Sequence, residues 1–336
     1  MPAKNRQSIE PETTHWKQEL ANLLTDPQEL CELLKLNQQQ SQQLHDSCLG
    51  FPLRVPRPYL ARIELSNLND PLLLQVLPSG DELTTVEGFL ADPLQEQQFS
   101  PVPGLLHKYH GRVLLVLSGS CSIHCRYCFR RHFPYQDAQI GKTQWRNIIE
   151  YIRNDNTIEE VIFSGGDPLN STDTLLARQC NELESITHLK RLRIHTRQPV
   201  MIPQRIDQSC IDWMKKTRFQ VVMVVHSNHA QEIDHHVAAA FERLRSAGIT
   251  VLNQSVLLRG INDDAKTLAQ LNERLFESGV LPYYLHMLDP VQGAAHFALP
   301  RQRALEIKTE LQAIVPGYLM PRFAVEEPHQ QNKTTL

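Results

Sequence analysis

The stretch "RVLLVLSGSCSIHCRYCFRRHF", Arg112 to Phe133, decides the fold. Its first seven residues are a short Val- and Leu-rich run, the composition of a buried strand, and Gly119 ends it. Cys121, Cys125 and Cys128 follow at C-x3-C-x2-C spacing, just past the strand's carboxyl end. Similar runs recur downstream: "EVIFSGG", "KRLRIHTR", "QVVMVVH", "TVLNQSVLL" and "PYYLHML". Helical patterns separate them. In "KTQWRNIIEYIRN", Trp145, Ile148, Ile149 and Ile152 fall on one helical face. Val237, Phe241 and Leu244 do the same, and Gly248 is placed to cap that helix. A strand about every 30 residues with a helix between is the period of βα units on a parallel sheet. About six such units are too few for an eight-unit barrel. The expectation is therefore α/β, an open, partial (βα)6-type barrel over residues 106–320. Function on such a sheet belongs at the carboxyl ends of the strands, where the cysteines, "SGGDPL", "HTR" and "LDP" all lie.

Residues 1–105 are rich in Gln, Leu and Pro and read as a helical N-terminal extension. "HWKQELANLLTDPQELCELLKL" gives two helical stretches broken near Pro27, and "LNQQQSQQLH" an exposed helix. "FPLRVPRPYLARIE", with three prolines, cannot be one regular helix. The chain has 336 residues and a formal net charge of −3, which gives no electrostatic case for nucleic-acid binding. No apolar run is long enough to span a membrane, and the N-terminus lacks the apolar core of a secretory signal. A reducing, cytoplasmic setting is the default. The sequence does not fix an oligomeric state, and a homo-oligomer is compatible with it.

Of seven cysteines, Cys31, Cys48, Cys180 and Cys210 stand singly and read as buried or half-buried thiols. The other three suggest metal. Zinc usually asks for a second ligand pair, and no C-x-x-C follows downstream; His124 lies between two of the cysteines, where joint ligation would be strained. A [4Fe–4S] cluster on three cysteines keeps one iron open.

C-x3-C-x2-C with an aromatic residue, Tyr127, before the last cysteine resembles the radical S-adenosylmethionine (SAM) superfamily. The segments "HKYHGRVLLVLSGSCSIHCRYCFRRHF", "VIFSGGDPL", "RLRIHTRQPVMIPQRI", "NQSVLLRGIND", "PYYLHMLDPVQGAAHF" and "RFAVEEPHQQNK" are similar, within it, to the lysine 2,3-aminomutase family. The resemblance implies that Cys121, Cys125 and Cys128 hold the cluster and that SAM chelates the open iron. Cleavage of SAM would then give a 5′-deoxyadenosyl radical. It also implies that Ser164, Gly165, Gly166 and Asp167, with Gln254 and His226, line the SAM site. Lys333 would carry pyridoxal phosphate (PLP), with Lys108, Tyr109 and Arg112 on its phosphate side. Arg130 would hold the carboxylate of L-lysine, and Asp289 and Glu326 its side-chain ammonium.

Several positions depart from the family pattern: Lys108 for the usual Arg, Asp167 for Glu, Glu326 for Asp, and "EPHQQN" for a glycine-rich run before Lys333. Without the resemblance, Lys333 in the C-terminal segment 321–336 would read as a solvated tail. The short form is similar to the bacterial subgroup that makes (R)-β-lysine for elongation factor P. That subgroup works with a lysyl-tRNA-synthetase-like ligase and a reducing electron donor, and the substrate could be free or factor-bound lysine. The alternatives are a radical SAM enzyme for another amino acid, and a non-catalytic iron–sulfur or zinc-binding module. Arg131 receives no role from the sequence.

Overall fold

The computed structural model describes residues 15–336; the start of the N-terminal extension, with the stretch weighed as a secretory signal, lies outside the described residues. Among the described residues, nine strands form one sheet in sequence order: β1 (Leu105–Tyr109), β2 (Arg112–Ser118), β3 (Glu160–Gly165), β4 (Arg191–Thr196), β5 (Gln220–His226), β6 (Thr250–Val256), β7 (Leu281–His286), β8 (Arg322–Val325) and β9 (Thr334–Thr335). β2 through β8 are parallel. Helices Lys142–Asn154, Asp173–Glu184, Gln208–Lys216, His235–Ser246, Ala265–Glu277 and Arg301–Ile314 cross between them. These crossovers make the expected (βα)6 arrangement. The edge strands β1 and β9 are antiparallel to their neighbours. The sheet curls so far that Lys108, on β1, reaches Glu326, just past β8. That contact bridges the two margins of an open sheet and makes it a partial barrel. None of the helices among the described residues is long and apolar enough to cross a membrane.

Side-chain alternation divides each strand between the core and the lumen. Val113, Leu115, Val161, Phe163, Leu192, Ile194, Met223 and Val225 join the large apolar core. The residues between them face inward. Trp145, Ile148 and Ile152 of the first crossover helix are buried in that core, as their spacing predicts. So are Val237, Phe241 and Leu244, and Gly248 adopts φ +81° just past that helix.

The extension is helical where expected. Trp16–Ala21 and Pro27–Leu34 are separate helices, the second capped by Asp26. The glutamine-rich helix Gln38–Gly50 starts at an Asn37–Gln40 capping box. In the proline-rich stretch, Val55 instead bridges Leu24 before a short helix, Arg57–Leu60. The extension packs onto the cysteine loop: Arg54 donates to Cys121 O, and Gln75 O accepts from Arg126 N.

Candidate active site

The cysteine loop leaves β2 and is braced from both sides. Arg126 is fully buried and closes a fork on Glu82, with Nε and Nη2 at 2.8 and 2.6 Å. Arg131 adds 2.6 Å to the same carboxylate and donates to Arg126 O and Gly293 O. Arg131, unassigned from sequence, is thus a strut of the loop. Burying three charges is tolerated because they are paired and hydrogen-bonded. Gly165 and Gly166 let β3 meet this loop. A Cβ on Gly165, which has φ +124°, would lie 2.5 Å from Ser118 O, and one on Gly166 2.6 Å from Ser120 O. These glycines thus make their close approach to the chain's own backbone.

Cys121, Cys125 and Cys128 are free thiols of intermediate exposure, while Cys31, Cys180 and Cys210 are buried and Cys48 half-buried. Burial pushes the Cys128 thiol up to about 12, and raises Cys121 well above its usual range. Arg197 Nη1 donates to Cys125 Sγ, and its Nη2 pairs with Glu232 at 2.9 Å and Gln75 at 2.6 Å. Among the described residues no group of three or more His, Cys, Asp or Glu is gathered to hold one metal ion. A cubane cluster makes no such demand, since each thiolate binds a different iron. His124 is turned away, its Nδ1 on Pro52 O at 2.8 Å and its ring on Phe51.

The residues assigned to SAM form the wall beside this loop. His226 Nε2 meets the hydroxyl of Tyr127, inside the cysteine motif, at 2.9 Å. Burial holds His226 down at about 3, with Arg197 adding to the effect, so it is neutral. Gln254 is its register partner on β6. Asp167 also has a structural role. Its carboxylate accepts from Leu169 N, Thr196 Oγ1 and Arg197 N at 3.0, 2.7 and 2.8 Å, so it fastens β3 to β4.

A second cluster gathers around Glu326. Lys333 Nζ lies 2.5 Å and Lys108 Nζ 2.7 Å from its carboxylate, and Tyr109 OH donates to it as well. Burial alone would raise this carboxyl, but Lys333, Lys108 and Tyr109 outweigh it and hold it at about 2. Arg112 joins through its guanidinium, 4.6 Å from the Tyr109 ring centre. Lys333 is not a solvated tail: Thr334 and Thr335 pair with β8, and Leu336 N donates to Phe323 O at 3.0 Å. Asp289 feels the charges of Lys333 and Lys108, and burial pushes its carboxyl up to about 7.

Arg130 lies between the clusters. Its Nε and Nη2 close on Glu96 at 2.8 and 2.6 Å, and Nη1 reaches Gly165 O at 3.1 Å and Ser164 Oγ at 3.3 Å. Burial opposes its charge, and Glu96 more than offsets that. Arg130, which the resemblance assigns to the substrate carboxylate, is thus paired here with a side chain of the extension.

The assembled lumen has thiols at one end, an amine–carboxylate cluster at the other, and a guanidinium between. A buried nitrogen, His195 Nε2, has no hydrogen-bond partner among the described residues. Three loop thiols fit an iron–sulfur cluster, and the cations gathered near Glu326 fit an anionic phosphate cofactor. Residues 110–192 match a family model described as a 4Fe-4S single cluster domain. The chain is 48% identical to an L-lysine 2,3-aminomutase of Escherichia coli (strain K12), over 97% of this chain and 95% of that one. The chain belongs to the L-lysine 2,3-aminomutase family. It is, accordingly, a radical SAM isomerase. A Haemophilus influenzae aminomutase is 47% identical over 96% of both chains, and one from Clostridium subterminale 35% identical over 96% of this chain and 77% of that one.

Three contributors escaped the sequence reading of this aminomutase-family site. Glu96 sits in "DPLQEQQF", which has no pattern that signals chemistry. Arg197 and His195 lie in "HTR", whose place at a strand's carboxyl end was the available signal.

Proposed function

We propose that the protein converts L-lysine to (R)-β-lysine by moving the amino group from C2 to C3. The convergence of Lys333, Lys108 and Tyr109 on Glu326 is the observation that carries this reading. When bound, the cluster with SAM supplies a hydrogen-abstracting radical, and PLP the carbonyl that carries nitrogen between carbons. Cys121, Cys125 and Cys128 would hold the cluster. The wall around Ser164 to Gly166, His226 and Gln254 would receive SAM. Lys333 is the amine for PLP, with Lys108, Tyr109 and Arg112 toward its phosphate. Arg130 orients the substrate carboxylate, and Asp289 and Glu326 receive the side-chain ammonium. The extension caps the cysteine loop and limits water and oxygen there.

Asp289 gives this reading a pH signature. Below about 7 the free-enzyme carboxyl is protonated and neutral, so it cannot pair with an ammonium; above it, the carboxylate can. kcat/KM for lysine is expected to rise with pH through about 7, because that ratio reports free-enzyme groups. In Asp289→Asn this limb should vanish and KM should rise roughly tenfold or more, the loss of a charged hydrogen bond. Unchanged lysine kinetics in that variant would remove Asp289 from the ammonium site.

The reading extends to elongation factor P, through a lysyl-tRNA-synthetase-like ligase, as the resemblance to the bacterial aminomutases implies. The test is product analysis. Chemically reduced enzyme is incubated with free L-lysine and, separately, with lysyl-modified factor, and β-lysine is resolved on a chiral column. (R)-β-lysine from either substrate supports the reading. No β-lysine from both, with cluster and PLP loaded, overturns it.

A further inference from the structure

Arg130 has five N–H donors. Glu96 takes those of Nε and one of Nη2, and Gly165 O with Ser164 Oγ engages Nη1. One N–H remains. A substrate carboxylate buried in the lumen needs more than that, since an unsatisfied charged oxygen is costly to bury. The missing donor lies on the next strand. Phe163 of β3 pairs with Ile194 of β4, and both point to the core, so Ser164 and His195, the next residue on each strand, face the lumen. Ser164 is the residue that Arg130 Nη1 touches. His195 Nε2 is enclosed and has no hydrogen-bond partner among the described residues. Burial foremost, then Arg193, Lys333 and Arg130, keep this imidazole well below its usual range, so it is neutral and carries one N–H.

We propose that His195 and Arg130 hold the substrate carboxylate together, His195 donating the N–H that Arg130, closed on Glu96, does not have free. The proposal rests on the reading of Arg130 as the carboxylate site. It makes His195 a specificity residue, selecting amino acids with a free carboxylate over their amides.

The experiment uses holoenzyme loaded with cluster, PLP and SAM but left unreduced, so that binding is read without turnover. Calorimetry gives Kd for L-lysine and for L-lysinamide, which lacks the carboxylate. Wild type should favour lysine. His195→Ala and the bulkier, donor-free His195→Leu should each weaken lysine about tenfold or more, the scale of a charge-assisted hydrogen bond. Both should leave lysinamide within about twofold, and His195→Gln, with an amide N–H, should restore part of the preference. Iron content, PLP content and melting temperature identify the variants that are intact. If Arg130→Ala lowers lysine binding selectively while the His195 variants do not, the carboxylate reading stands and the His195 proposal falls. If Arg130→Ala shows no selectivity either, the carboxylate is held elsewhere, and both fall.

Discussion

Replacing Lys333 by alanine should strip PLP from the purified protein and lower β-lysine formation by about a thousandfold or more, equivalent to about 4 kcal/mol of barrier. The variant should still fold and load iron. Glu326 keeps Lys108 at 2.7 Å and the Tyr109 hydroxyl, so its carboxylate is not left as an unpaired buried charge. The strand that follows Lys333 is held by backbone pairing to β8, which the substitution does not touch. Lys333→Arg separates charge from chemistry. It can keep the ion pair with Glu326, but a guanidinium does not deprotonate to act as an amine nucleophile. Both variants should therefore lose PLP, measured by alkaline release, and only the alanine variant should loosen Glu326. A Lys333→Ala protein that retains stoichiometric PLP and normal turnover would sink the assignment.

The parallel core of this fold was legible because its signals are local. "RVLLVLS" through "PYYLHML" each satisfy one strand period, and Trp145–Ile152 one helical face. β8 and β9 were not marked as strands, because "RFAV" and "TT" are too short to show a period and are fixed by neighbours distant in sequence. The site divides in the same way. The cysteines lie close together along the chain, so their spacing alone carries information. The partner of Arg130 does not: Glu96 is 34 residues away, on a short turn of the extension. No local rule says that this carboxylate will close the guanidinium fork. Asp167 makes the converse point. Its place in "SGGDPL" suggested a ligand contact, and its carboxylate already accepts three hydrogen bonds, from Leu169 N, Thr196 Oγ1 and Arg197 N. Long-range pairing decides which polar side chains remain free to bind, and that is the information a single sequence lacks.

Cys125→Ala should abolish the iron–sulfur absorption near 400 nm, iron content and activity together. Two thiolates remain, Cys121 and Cys128, and they cannot hold three corners of a cubane. The loop itself should survive, because its bracing does not pass through sulfur. Arg126 and Arg131 stay clamped on Glu82, and Arg54 on Cys121 O. Arg197 loses Cys125 Sγ as an acceptor but keeps Glu232 and Gln75. The melting temperature of the cluster-free variant should therefore lie close to that of cluster-free wild type, which separates loss of the cluster from loss of the fold. A structural zinc module behaves differently: its metal contributes folding energy outright, so wild type would carry zinc without iron, and removing one ligand would destabilise the chain. Metal analysis of anaerobically prepared protein distinguishes the two. Full iron loading and turnover in Cys125→Ala would refute the three-cysteine cluster, and stoichiometric zinc without iron in wild type would replace it with the structural reading.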